Sequence, residues 1–264
     1  MAKKSVWLSW TPGDAEEARL HEVGAALTRV GLEVRGAPWA NDLARMDWME
    51  CAGQLIGDSA PDAWLIVGRA EDFADRDVRY GLSMAAAVSD SEKGAGPVIV
   101  TLDDDATALA GLSLLQGAPR LDARRPDWAA QLVAHLHRPH SAAGRSDVHF
   151  NVIAHAAIGQ WYEAAPAEGA WSGALFCVAD DGATVDHIAV GPRGVLPERT
   201  SLEFPQRGLK AASGGVDFTG SAVRNNISAE ESFYAKVSGA PSCVLFGPYD
   251  PDADETESYI LRLS

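Results

Sequence analysis

The chain has 264 residues, 47% of them hydrophobic, and a formal net charge of −15 at pH 7. That length suits one large domain or two ordinary ones with buried cores. The acid excess disfavours nucleic acid and anionic membrane as partners, because phosphate binding needs concentrated Lys and Arg, and no apolar run approaches the ~20 residues of a spanning helix.

Strands and helices alternate through the first half. Residues 6–10 (VWLSW) form a short apolar strand, and residues 11–14 (TPGD) break the chain. Asp14 is placed as a helix N-cap with Glu16 and Glu17 in the first turn, where negative charge meets the helix dipole. Leu20, Val23, Gly24, Leu27 and Val30 follow at helical spacing, with Gly31 in the position that ends a helix. Residues 32–34 give a second strand, and Asn41 or Asp42 opens a second helix carrying Leu43, Met46, Met49, Cys51, Leu55 and Ile56. Residues 63–67 (AWLIV) are continuously apolar, as in a strand covered on both faces. A third helix over 77–88, a fourth strand over 97–102 ending in Asp103-Asp104-Asp105, a helical patch over 109–115, a weak strand over 119–121 and a last helix over 128–136 complete the half. Five strands alternating with helices imply a parallel sheet, whose ligands sit beyond the carboxyl ends of the strands.

Residues 139–146 are small, polar and Pro/Gly-containing and separate an α/β domain over 1–138 from a mostly antiparallel β domain over 147–264. From Ser146 onward there are 7 Lys/Arg against 16 Asp/Glu, an acidity that serves solubility. Val148, Phe150 and Val152 alternate as in a half-buried strand, and residues 154–162 suggest a short helix. Residues 174–178 and 185–190, flanking an Asp-Gly, read as a hairpin, and so do 233–237 and 243–246. Ser228 and Glu231 have capping-box spacing for one helical turn, and 259–263 is a closing strand, giving a possible sandwich.

Several motifs are weighed and set aside. Cys51, Cys177 and Cys243 are far apart and odd in number, so reduced core residues are expected, with no CxxC pair for zinc. His135, His137 and His140 form HxHxxH, but positions two apart lie on different sides of a helix. The acidic run at 249–257 fails the EF-hand pattern, because Glu255 and Leu261 fall where glycine and glutamate are needed. The start MAKKSVWLSW holds no long apolar region or cleavage site, so no signal peptide is read, a cytoplasmic protein is expected, and the acceptor Asn226-Ile227-Ser228 should stay unmodified. GxSxG, GxxxxGK[ST] and HExxH are all missing, and Gly94-Ala95-Gly96-Pro97 precedes a strand, so it is a loop.

The order of motifs over residues 4–137 resembles a TIR domain, a flavodoxin-like signalling and NAD-hydrolysing family. VWLSWTPGDAE is similar to its first strand and serine-containing turn, residues 48–67 to its second helix and third strand, PVIVTLDDD to its fourth strand, and LDARRPDWAAQLVAHL to its closing strand and helix. The resemblance implies a cleft near Ser9, Trp10, Trp39, Gly68 and Arg69, with aromatic rings at Trp10, Trp39 and Trp48 available to stack on a base, while Trp7 and Trp64 are read as core. Catalytic members carry a glutamate, usually followed by leucine, in the helix after the third strand. Here Leu82 follows Gly81, or with the register moved by one the position is Tyr80, and neither supplies a carboxylate to a cationic ribosyl centre. Glu71 and Asp77 are the acids nearby; catalysis is sensitive to misplacement of about 1 Å, and the simpler reading makes them a solvated loop acid and a helix-starting residue. Three functions follow: a TIR-like signalling or assembly module without the catalytic glutamate, self-associating or binding a protein partner; an NAD nucleosidase using Glu71 or Asp77; and a sensor that binds NAD or a related nucleotide without cleaving it.

Overall fold

The computed structural model describes residues 3–11, 17–92, 94–103, 109–138, 147–179, 182–252 and 257–264. The chain divides into two compact units, Met1–Ala143 and Gly144–Ser264. Asp14 and Glu16, Asp104 and Asp105, the segment 139–146 with His140, Asp180 and Asp181, and Asp254 and Glu255 of the acidic run lie outside the described residues.

In the first unit the elements run β1 (Ser5–Trp10), α1 (Glu17–Arg29), β2 (Glu33–Pro38), α2 (Trp48–Leu55), β3 (Ala63–Gly68), α3 (Arg76–Ser91), β4 (Pro97–Thr101), a 3₁₀ turn at Ser113–Leu115, β5 (Arg120–Asp122) and α4 (Trp128–Leu136). All five strands pair in parallel in the order β2-β1-β3-β4-β5. This is the flavodoxin-like arrangement, with its switch point between β1 and β3. Val6, Leu8, Leu65, Val67, Val98 and Val100 turn one face of the sheet onto Val23 and Leu27 of α1 and Leu132 and Leu136 of α4. The alternate residues face α2 and α3, which pack on each other. β3 lies mid-sheet and all six of its residues are buried, which accounts for its continuous apolar run.

Local signals set the helix ends. Gly31, at φ 91°, follows α1; its N–H donates to Thr28 O at 3.0 Å and the Leu32 N–H to Leu27 O at 3.1 Å, the paired bonds of a Schellman motif. Asp75 caps α3 by accepting from the N–H groups of Asp77 and Val78. The second helix begins at Trp48, not at Asn41 or Asp42. Asp42 does accept from the Arg45 N–H, but Met46 turns to φ 55° and stops that turn from propagating.

The second unit runs β6 (Val148–His155), β7 (Gly159–Pro166), β8 (Ala170–Trp171), β9 (Ala174–Ala179), β10 (Thr184–Pro192), β11 (Gln206–Ser213), β12 (Val216–Val223), β13 (Ile227–Ser228), β14 (Glu231–Ser238), β15 (Cys243–Pro248) and β16 (Tyr259–Arg262). One sheet has the order β10-β14-β7-β6 and another β11-β12-β9-β15-β16, while β8 and β13 form a small pair. Every ladder is antiparallel. Tyr162 meets Phe176 at 5.3 Å between ring centroids and Phe150 meets Phe246 at the same distance, so the two larger sheets face each other as a sandwich with an aromatic core.

The structure departs from four sequence expectations in this unit. Residues 154–162 are not helical: they are the end of β6, a turn and the start of β7, with His155 opposite Gly159. Polar Gln160 and Glu163 break the alternation there because both are buried and hydrogen-bonded. The segments 174–178 and 185–190 are not a hairpin, since β9 and β10 belong to different sheets, and the same holds for β14 and β15. Gly182 and Gly239, at φ 98° and 85°, carry the chain across the sandwich, where a left-handed residue serves a sheet-to-sheet corner as well as a hairpin. A two-residue hairpin joins β11 to β12 through Gly214-Gly215, both with positive φ. Nor does a helical turn follow Ser228; Glu231 Oε2 still accepts from the Ser228 hydroxyl at 3.1 Å, closing a turn between β13 and β14. Among the described residues no helix is long and apolar enough to cross a membrane.

Candidate functional site

Residues at the ends of β1, β2 and β3 meet the first turns of α2 and α3. Ser9, buried, accepts from Trp64 Nε1 at 3.0 Å and lies 3.3 Å from Cys51 Sγ, so its hydroxyl is held in packing. Trp39 follows β2 directly, and its N–H donates to Trp10 O at 2.6 Å. Its indole stacks on Trp64 at 6.4 Å and lies against Gly81, where a Cβ would come within 2.9 Å of Trp39 Cζ2. Glycine at 81 therefore makes room for an indole. At Gly68 a Cβ would meet the Phe73 ring at 2.6 Å, so that ring lies across the end of β3.

These rings fill the space between the ends of β1 and β3 and helix α3. The void bounded by Ser9, Trp10, Thr11, Trp39, Ile66, Phe73, Val78 and Leu82 has no volume that a water molecule can enter. The acids read from the sequence lie elsewhere. Glu71 is 74% exposed and pairs with Arg69 at 3.3 Å, and Asp77 is exposed in the first turn of α3. Arg69 also gives its backbone N–H to Asp72 at 2.7 Å, while Asp103 accepts from the Ala70 N–H at 2.9 Å and ties the β3 and β4 loops together. Tyr80 is buried, Trp48 is buried in α2, and Trp10 packs against the α1/α4 core.

Open space lies on the other side of Trp39. A cavity of about 330 Å³ is bounded by Trp7 and Ser9 of β1, Ala37 and Pro38 of β2, Trp39 and Ala40, and Asp47, Glu50, Cys51 and Gln54 of the second helix. Positions 47, 50, 51 and 54 recur at i, i+3, i+4 and i+7 and form one helical face; Trp48, Ala52 and Leu55 form the buried face. That polar stripe was the available sequence signal for this wall, and it is not visible in a search for apolar periodicity. Among the described residues no Lys, Arg or His lines the cavity. Asp47 lies 3.7 Å from the exposed Arg45 guanidinium, and Glu50 is exposed at the rim. Burial pushes the Cys51 thiol up to about 11 despite the Ser9 and Trp7 contacts that lower it, with the Glu50 charge adding to the rise. Among the described residues the buried indole N–H groups of Trp39 and Trp48 have no hydrogen-bond acceptor.

A second polar cluster lies in the sandwich. Glu163 of β7 is fully buried and accepts from Ser232 Oγ at 2.7 Å, the Gly194 N–H at 2.6 Å, Tyr234 at 3.1 Å and Asn151 Nδ2 at 3.3 Å, with His149 Nε2 at 3.4 Å. Burial alone would raise this carboxyl; the imidazole of His149 beside it and the bonds from Ser232 and Gly194 outweigh it and hold the pKa at about 2. Burial and the adjacent Glu163 charge push the Tyr234 phenol up. Pro192 O and Glu163 are alternative acceptors for the single Tyr234 hydroxyl hydrogen, and the phenol oxygen accepts from the Val195 N–H at 3.2 Å. None of these residues borders either space described above. The cluster clamps the loop after β10 onto the sheet.

Among the described residues no three His, Cys, Asp or Glu side chains gather to hold a metal ion. The first unit is thus a flavodoxin-like sheet with a filled cleft and a neighbouring cavity. No protein-family model and no curated protein matches this chain.

Proposed function

We propose that the first unit is a TIR-like signalling or assembly module that does not cleave NAD, joined through residues 139–146 to a β sandwich that supplies recognition or assembly contacts. The carrying observation is the contact between Gly81 and Trp39: where catalytic TIR domains place a carboxylate, this chain places an indole against bare backbone. A negative charge facing a developing ribosyl cation in a dry site is the main electrostatic device for such a cleavage. Glu71 and Asp77 stand exposed, in high-dielectric surroundings. The nucleotide-sensor reading draws less support, because among the described residues the neighbouring cavity carries two carboxylates and no basic side chain to receive a phosphate.

The test incubates the full chain with NAD over a range of protein concentrations extending to the concentrated regime, since assembly can gate activity. Released nicotinamide and sedimentation are followed together. Concentration-dependent association without nicotinamide release is expected. Nicotinamide release that Glu71→Ala or Asp77→Ala abolishes would defeat the proposal and establish the nucleosidase.

A further inference from the structure

We propose that the cavity between β1, β2 and α2 binds a small organic cation, a quaternary ammonium or N-alkylpyridinium ion. Its wall has the composition that such a cation requires. Trp7 and Trp39 supply two indole rings, and Ala37 and Pro38 supply apolar surface suited to methyl or ring carbons. A cation over an indole face within about 6 Å is attracted by the ring quadrupole, and indole is the best of the aromatic side chains for this. Trp39 is fixed in advance by its stacking on Trp64, by its backbone bond to Trp10 and by the fit against Gly81, so little ordering remains to be done on binding.

Charge selects the sign of the ligand. Asp47 and Glu50 are the wall's formally charged groups. Arg45 offsets Asp47 weakly, being 3.7 Å away with its side chain 76% exposed to screening solvent. Glu50 has no ion-pair partner among the described residues and stands at the rim, where it can draw a cation in. A bare metal ion is a poor fit: hard cations take about six or more oxygen ligands, and indoles and alanine give none. A volume of about 330 Å³ stands at the low end for ligand sites, which sets the scale at a small molecule.

This site is separate from the filled cleft, and the inference holds whether or not the module assembles or cleaves NAD. The test titrates the full chain with choline, with its neutral isostere 3,3-dimethylbutan-1-ol and with inorganic phosphate, reading tryptophan fluorescence and calorimetric heat. Saturable choline binding is expected, with the neutral alcohol at least about tenfold weaker. Glu50→Gln should weaken choline by about three- to tenfold and leave the alcohol unchanged. Trp7→Leu, checked for folding by circular dichroism, should abolish binding. Equal affinity for choline and the alcohol, preference for phosphate, or no saturation by choline or N-methylpyridinium up to about 10 mM would each overturn the proposal.

Discussion

Replacing Glu163 with glutamine removes a charge that the sandwich is built around. The carboxyl's pKa is held at about 2 against an ordinary 4.5. At about 1.4 kcal/mol per unit, that gap corresponds to about 3 kcal/mol of folding stability. Because the folded pKa is depressed, this stability is fully present above about pH 5 and drains away as pH falls through 4.5 towards 2. Glutamine keeps the shape and one acceptor but loses the charge facing His149, Ser232 and the Gly194 N–H. Glu163→Gln should therefore be about 3 kcal/mol less stable at pH 7, and the deficit should shrink until variant and wild type converge near pH 2. Other carboxylates titrate in the same window, Asp186 among them, so the quantity to follow is the difference between the two proteins. Two compact units make a single global transition unsafe, so the assay is hydrogen exchange of the full chain, read on peptides from β7 and β14. A deficit below about 1 kcal/mol at pH 7, or one that is constant from pH 7 to pH 2.5, would refute the electrostatic account.

Gly81→Ala sets a helix-propensity gain of about 1 kcal/mol against an overlap with a pinned indole that costs about 1–3 kcal/mol. With Cβ at 2.9 Å from Trp39 Cζ2 the overlap should win, speeding hydrogen exchange of α3 and β3 peptides; Trp39→Phe in the same chain should relieve it, and slower exchange for Gly81→Ala alone would contradict the packing. Cys51, its thiol pushed from 9.0 up to about 11, should react with iodoacetamide at pH 8 about 100-fold more slowly than an ordinary thiol, measured by peptide mass spectrometry; a free-thiol rate would show that the residue is not desolvated.

The parallel sheet was legible because its signals are local and redundant. The β3 run is apolar on both faces, Gly31 ends α1, and the last helix occupies residues 128–136 as its spacing predicts. The sandwich was legible as a class of fold but not as a pairing. A strand's alternation shows which side chains turn inward, yet says nothing about which strand lies beside it, so β9 and β10 read as neighbours when each pairs elsewhere. Glu163 was invisible for a related reason. A lone glutamate in a strand looks solvated, and its donors Gly194, Ser232 and Tyr234 lie 31, 69 and 71 positions away. The cavity was hidden by Met46, whose positive φ delays the second helix to Trp48 and so sets which turn faces β1.

Trp39 accounts for both halves of the site at once. Its backbone extends the β1–β2 pairing by one bond, which fixes where the ring must fall. Trp39 borders both the void against α3, which is closed to water, and the cavity against the second helix. Gly81 is what permits this placement, since any side chain there would push the indole back into the open space. The bare backbone at position 81 and the tryptophan-lined cavity are therefore linked consequences of a single packing choice. A substitution that placed an acid at position 81 would have to displace Trp39 first, and in doing so would dismantle the neighbouring wall.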